Sequence, residues 1–267
     1  AQLAAAQGIA LSTASGSLEF LEDGAWNKRL HPGWAAVAGI TAAALAESGF
    51  VGARNAYEGR FGLYASHLQQ RFVPGDLSLA TAALGEEWEL MSVAVKPFPA
   101  CHFTHACADA AIALGRQIEA SGISEIRALV PAEVVKTVCE PVQAKRRPAN
   151  AYDAQFSIPY VVASALLRGR FTLAELTPEA IADGETLALA ERVRYEIDPR
   201  SGFPEYYSGE LVVTAKDGRI LRQREHENRG CATRPLSCAD ILAKFDDNMR
   251  GASASARAAE IAELILT

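Results

Sequence analysis

Residues 88–105 read WELMSVAVKPFPACHFTH, and the change of character inside this stretch decides how the chain is organised. Ahead of it, residues 1–50 are rich in alanine and other small residues. Such sequences suit helices that pack closely, because small side chains let two backbones approach. Within it, residues 89–95 have strand composition and stop at Pro97, which removes a backbone donor and stiffens the chain. After it, residues 104–121 repeat apolar positions at helical spacing (Ala108, Ala111, Ile112, Gly115, Ile118), with Thr104 placed to cap the helix. A helical region therefore gives way, near residue 91, to a region of mixed type.

Working outward towards the N-terminus, residues 3–11 and 34–45 read as helices. Residues 12–32 form a polar connection with a turn at Asp23-Gly24, and Pro32 stands just before the second helix. Residues 54–91 read as further helix and loop, broken at Pro74-Gly75-Asp76. Towards the C-terminus, residues 123–130 alternate as a strand and residues 153–168 form an apolar helix. Thr172, Thr177 and Asp183 mark successive helix starts. Residues 193–197 make a short strand, and residues 210–215 and 219–224 flank Lys216-Asp217-Gly218 as a β-hairpin. From Pro235 the chain is helical again, with Ser237 capping residues 239–248 and a last helix over residues 256–266. The simplest architecture is mainly α with an α+β part. A helical domain (1–91 and 229–267) is split in sequence by a smaller α+β domain (92–228).

Composition narrows the function. The 267 residues are 49% hydrophobic and 22% charged, with a net charge of −6. A buried core follows, and the acidic balance speaks against a nucleic-acid partner. Cys101, Cys107, Cys139, Cys231 and Cys238 include no CxxC pair, which fits thiols in a reducing compartment and a cytoplasmic setting. No apolar run is long enough for a membrane span. There is no GxGxxG, Walker A or GxSxG motif, so nucleotide-dependent and α/β-hydrolase chemistry lack support. The first residues are already helical in composition and lack an initiator Met, so an N-terminal portion is expected ahead of them.

Three segments carry candidate chemistry. In WNKRLHPGW (26–34), Lys28 and His31 precede a helix whose N-terminus favours a carboxylate, and the flanking tryptophans point to partial burial. The alternative is a solvated loop. In KPFPACHFTH (96–105), Lys96 is followed by His102 and His105, three residues apart, with Asp109 beyond. A zinc site from Cys101, His105 and Asp109 is conceivable, as is a structural role for His105 in the core. In KRRPANAYDAQFS (145–157), Arg147 can clamp a carboxylate and Tyr152 can offer a hydroxyl. What remains is acid–base work by Lys, His and Tyr on an anion.

Together LEFLEDGAWNKRLHPGWAAVAG, YEGRFGLY, KPFPACHFTHACADA and RRPANAYDAQFSIPYVVASALLRG resemble the MmgE/PrpD family, which includes 2-methylcitrate dehydratases, cis-aconitate decarboxylase and iminodisuccinate epimerase. The resemblance implies a large all-helical domain, a smaller α+β lid and an active site in the cleft between them. It also implies a homodimer that needs no metal or organic cofactor and takes a small carboxylate substrate. Lys28 and Lys96 match the family's active-site lysines, and His31 and His105 match histidines of the same motifs as catalytic residues. His102, Arg147 and Tyr152 are expected to bind substrate. The family's upstream catalytic histidine and aspartate would lie before Ala1. The expected activity is a dehydratase acting on a 2-methylcitrate-like tricarboxylate. An epimerase or isomerase of an iminodisuccinate-like dicarboxylate, a cis-aconitate-type decarboxylase and a non-catalytic partial member are the alternatives.

Overall fold

The computed structural model describes residues 1–23, 25–68, 82–252 and 255–266. Packing divides the chain into two units, Ala1–Glu87 and Trp88–Thr267, and each is taken by itself. The expected break at Pro74-Gly75-Asp76 and the glycine of the Asp23-Gly24 turn lie outside the described residues.

The first unit consists of α1 (Gln2–Leu11), α2 (Phe20–Asp23), α3 (Asn27–Glu47) and α4 (Leu63–Leu68). Small residues work here as the sequence leads one to expect. A methyl group added at Gly8 would come within 2.1 Å of the Ala53 oxygen, and one at Gly52 within 2.1 Å of the Ala5 oxygen. The start of α3 differs from expectation. The helix begins at Asn27 rather than near Trp34, so Lys28 and His31 belong to its first turns and Pro32 lies inside it. Proline at that position removes the amide that would otherwise donate to the Lys28 carbonyl. Only Ala42 and Ala46 of α3 are buried, while Leu30, Trp34 and Val37 face solvent.

The second unit is built on a four-stranded sheet in the order β2-β1-β3-β4. Its strands are β1 (Ile123–Val130), β2 (Val193–Ile197), β3 (Gly209–Ala215) and β4 (Ile220–Glu225). β1 runs parallel to β2 and antiparallel to β3, so Ile126 sits between Val193 and Val213. The β3–β4 hairpin forms as expected. Gly218 at φ +85° supplies the left-handed turn residue, and the Ala215 amide donates to the Arg219 carbonyl at 2.8 Å.

α5 (His105–Gly115) packs on the sheet and on α9 (Ile158–Arg168). The approach to α9 is close enough that a methyl at Gly115 would meet the Leu166 oxygen at 2.3 Å. Between β1 and β2 the chain forms α6 (Val135–Val138), α7 (Val142–Arg146), α8 (Ala151–Gln155), α9, α10 (Pro178–Ile181) and α11 (Gly184–Ala190). Thr172, Thr177 and Asp183 each accept a backbone amide as helix caps. The single helix expected over residues 153–168 is two. Pro159 lacks an amide, and Ser157 restarts the helix by accepting from the Tyr160 amide at 3.0 Å.

Two other expectations fail for physical reasons. Residues 89–95 form a 3-10 turn (Glu89–Ser92) and then extended chain, not a sheet strand. Among the described residues no strand of the sheet pairs with them, and Leu90 and Val93 are exposed. Thr104 ends a second 3-10 turn, and its hydroxyl donates back to the Cys101 carbonyl at 2.8 Å instead of capping α5.

α12 (Cys238–Met249), capped by Ser237, and α13 (Ala258–Leu266) complete the chain. These residues group with the second unit, yet neither helix has a buried residue. The Val95 amide donates to the Gly230 carbonyl at 2.8 Å, so the two ends of the mixed region lie side by side. Among the described residues no helix is long and apolar enough to cross a membrane.

Candidate active site

The loop carrying Lys96 is fixed from three directions. α8 holds it through Gln155, whose side-chain amide donates to the Pro99 carbonyl and whose own carbonyl accepts from the Cys101 amide, both at 2.8 Å. Phe98 is buried, with the Arg229 guanidinium over its ring at 5.6 Å. α12 reaches back through Lys244, whose ammonium donates to the Lys96 carbonyl at 2.6 Å. Within this frame the Lys96 ammonium donates to the Ala100 carbonyl at 3.2 Å. A cation is thereby placed beside two imidazoles.

His102 and His105 lie with ring centroids 5.1 Å apart. His102 is half-buried and stacks on Tyr207 at 4.7 Å. Its Nε2 is 2.6 Å from the Asn228 side-chain nitrogen. Burial, and then the Lys96 charge, hold its pKa below the ordinary 6.5. His105 is fully buried, edge-on to Phe98, with Nε2 at 3.3 Å from the Ala100 carbonyl. Burial and then the neighbouring His102 push it down to about 3, against the pull of that backbone bond. His105 is therefore neutral at physiological pH. Its burial and its contact with the Ala100 carbonyl tie it to the loop that carries Lys96.

Asp109, one turn further along α5, is paired with Arg229 at 3.2 Å. Arg229 continues to Asp240 on α12 at 3.3 Å. Burial pushes the Asp109 carboxyl up while Arg229 pulls it down. The conceived zinc site does not assemble: among the described residues no group of three His, Cys, Asp or Glu is placed to hold a metal.

Arg147 is exposed and paired with Glu191 at 2.8 Å. The cavity beside it, about 360 Å³, is lined by residues such as Asn150, Leu176 and Leu187 and by none of Lys96, His102 or His105. Tyr152 is buried on α8 with its ring against Phe156 at 5.0 Å. It shares a helix with Gln155, which clamps the loop.

Lys28 and His31 belong to the first unit. His31 meets Phe20 edge-on at 5.6 Å. The burial expected from the flanking tryptophans is not realised, since Trp26 and Trp34 are both exposed.

Sequence reading missed Asn228, Tyr207, Arg229 and Lys244. All four reach the loop from more than 100 residues away, so no local spacing pointed to them.

A mainly helical chain with a small mixed sheet, carrying a lysine–histidine loop at the head of a buried helix, defines the class. The particular family follows from comparison. The profile of the MmgE/PrpD C-terminal domain matches residues 98–267 and that of the MmgE/PrpD N-terminal domain residues 1–74, and the chain belongs to the MmgE/PrpD family.

Among curated proteins it is 32% identical to the cis-aconitate decarboxylase of Homo sapiens over 232 residues, covering 83% of this chain and 46% of that protein. It is 30% identical to the cis-aconitate decarboxylase of Mus musculus over 230 residues, with 83% and 45% covered. A cis-aconitate decarboxylase-like protein of Aspergillus oryzae is 24% identical over 233 residues, with 81% and 46% covered. The chain spans about half the length of the curated relatives it matches.

Proposed function

We propose that the chain is part of a cofactor-independent lyase that acts on a small tricarboxylate, with loss of CO₂ from a cis-aconitate-like substrate as the leading reaction. The names of the two relatives at 32% and 30% identity support decarboxylation over the dehydration that the motifs alone had put first. The observation that carries the site is Lys96, a cation set beside the neutral imidazole of His102. In decarboxylation the bond from carbon to a carboxylate breaks, CO₂ leaves, and the electron pair kept by the carbon skeleton is taken up by a proton. In dehydration a C–H proton is removed next to a carboxylate and hydroxide leaves with a proton as water. Either way negative charge grows beside a carboxylate; Lys96 is exposed in the free chain, and once covered by bound substrate its ammonium would stabilise that charge by on the order of 2–4 kcal/mol.

In this proposal Lys28 supplies a second cation and His31 relays a proton. The helical body is 1–91 with 229–267, the lid is 92–228, and the active protein is a homodimer. Arg147 and Tyr152 remain outer carboxylate and hydroxyl contacts.

The test incubates the natural full-length protein with cis-aconitate, 2-methylcitrate and a chiral iminodisuccinate and follows products by NMR. Loss of CO₂ from cis-aconitate is expected. Turnover of 2-methylcitrate alone restores the dehydratase, and racemisation alone makes the protein an isomerase. Turnover of none, with Lys28→Ala and Lys96→Ala leaving the biological role intact, overturns the enzyme reading in favour of a non-catalytic member.

A further inference from the structure

Asn228 is 97% removed from solvent, being only 3% exposed, and its side-chain nitrogen lies 2.6 Å from His102 Nε2. The same NH₂ group donates to the Arg229 carbonyl at 3.3 Å. The carbonyl accepts only, so it fixes which end of the amide faces the ring. An N–H on Nε2 would then put two donors head to head at hydrogen-bonding distance. The ring proton must sit on Nδ1 instead. Tyr207 stacks on one side of the ring at an interplanar angle of 15° and His105 packs beside it, so the imidazole is held in plane as well as in register. Among the described residues no carboxylate hydrogen-bonds to this ring, as one would in an acid–base pair built to carry a proton.

We propose that Asn228 is a positioning residue that locks His102 as its Nδ1–H tautomer, so that His102 serves the reaction as a neutral hydrogen-bond donor to a substrate carboxylate beside Lys96 and not as a general base. The donor role rests on the carboxylate-lyase reading above; the tautomer does not. A neutral donor next to a cation adds orientation without adding a second charge, and it cannot compete with the reacting carbon for the proton.

The tautomer is read directly from the ring ¹⁵N resonances of the full-length protein labelled at histidine, with His102 assigned by the signal lost in His102→Gln. The wild type is expected to show Nδ1–H at neutral pH. Asn228→Asp offers only an acceptor, so the proton should move to Nε2; Asn228→Ala should give a mixture of tautomers. An Nε2–H wild type, or an Asn228→Asp spectrum with the proton still on Nδ1, overturns the assignment. Addition of citrate, a non-reacting tricarboxylate probe, should shift the His102 Nδ1–H resonance in the wild type at least tenfold more than in Asn228→Asp at equal citrate. A His102 resonance indifferent to citrate overturns the donor role. None of these outcomes requires turnover, so failure of the lyase reading shows separately in the product assay.

Discussion

Lys96 is the residue on which the proposed chemistry concentrates, because its ammonium is held to the Ala100 carbonyl by a loop that other elements fix in place. Lys96→Met in the full-length protein is expected to lower kcat/KM by on the order of 100- to 1,000-fold, with the thermal midpoint nearly unchanged. Steady-state kinetics beside a melting curve checks both. His105 makes a different prediction. Burial takes it from 6.5 to about 3, so between those values the unfolded chain binds a proton that the folded chain refuses. Stability contributed by the neutral ring is therefore fully present above the unfolded value and is lost on acidification, at about 1.4 kcal/mol per pH unit inside the window. Urea unfolding near pH 7 and about pH 5 should show the wild type losing about 1–2 kcal/mol more than His105→Gln. Equal losses in the two proteins would refute this. The motif that holds Lys96, His102 and His105 was legible in sequence because all three lie within ten positions. Asn228 was not, being 126 residues from His102; only folding of the sheet brings it there.

At the level of elements, local chemistry carried much of the reading. β1 and β2 alternate or run apolar between turn signals, and both occur at the residues expected. Thr172, Thr177 and Asp183 cap because short polar side chains meet unpaired first-turn amides. The failures are equally specific. Residues 89–95 had a strand's composition but no neighbouring strand, which is a tertiary condition that composition does not contain. The start of α3 was misplaced because Pro32 was taken for a boundary, when the helix tolerates it within. The α5–α9 contact yields a prediction. Gly115→Ala would drive a methyl into the Leu166 carbonyl, and a backbone atom cannot swing aside. A loss of about 1–3 kcal/mol is expected in chemical denaturation. Gly184→Ala, where no atom lies within 4 Å of the added methyl, is the control and should be neutral or slightly stabilising. Equal effects at the two sites would mean that helix propensity, not packing, governs both.

The whole molecule is unevenly buried. The sheet, α5 and α9 carry the core, whereas α3 turns Leu30, Trp34 and Val37, at helical spacing, towards solvent. An amphipathic helix ordinarily buries such a stripe. The 267-residue chain on its own is therefore expected to self-associate, and Leu30→Glu with Val37→Glu to weaken that association at least tenfold in sedimentation. A monomeric wild type at high concentration would refute it. The meeting of Val95 and Gly230 has a consequence of another kind. A stretch that starts and finishes at one point can be given new ends elsewhere, because a short linker across that point closes the chain at small entropic cost. Circular permutation through the exposed Lys216-Asp217-Gly218 turn should then leave the sheet intact.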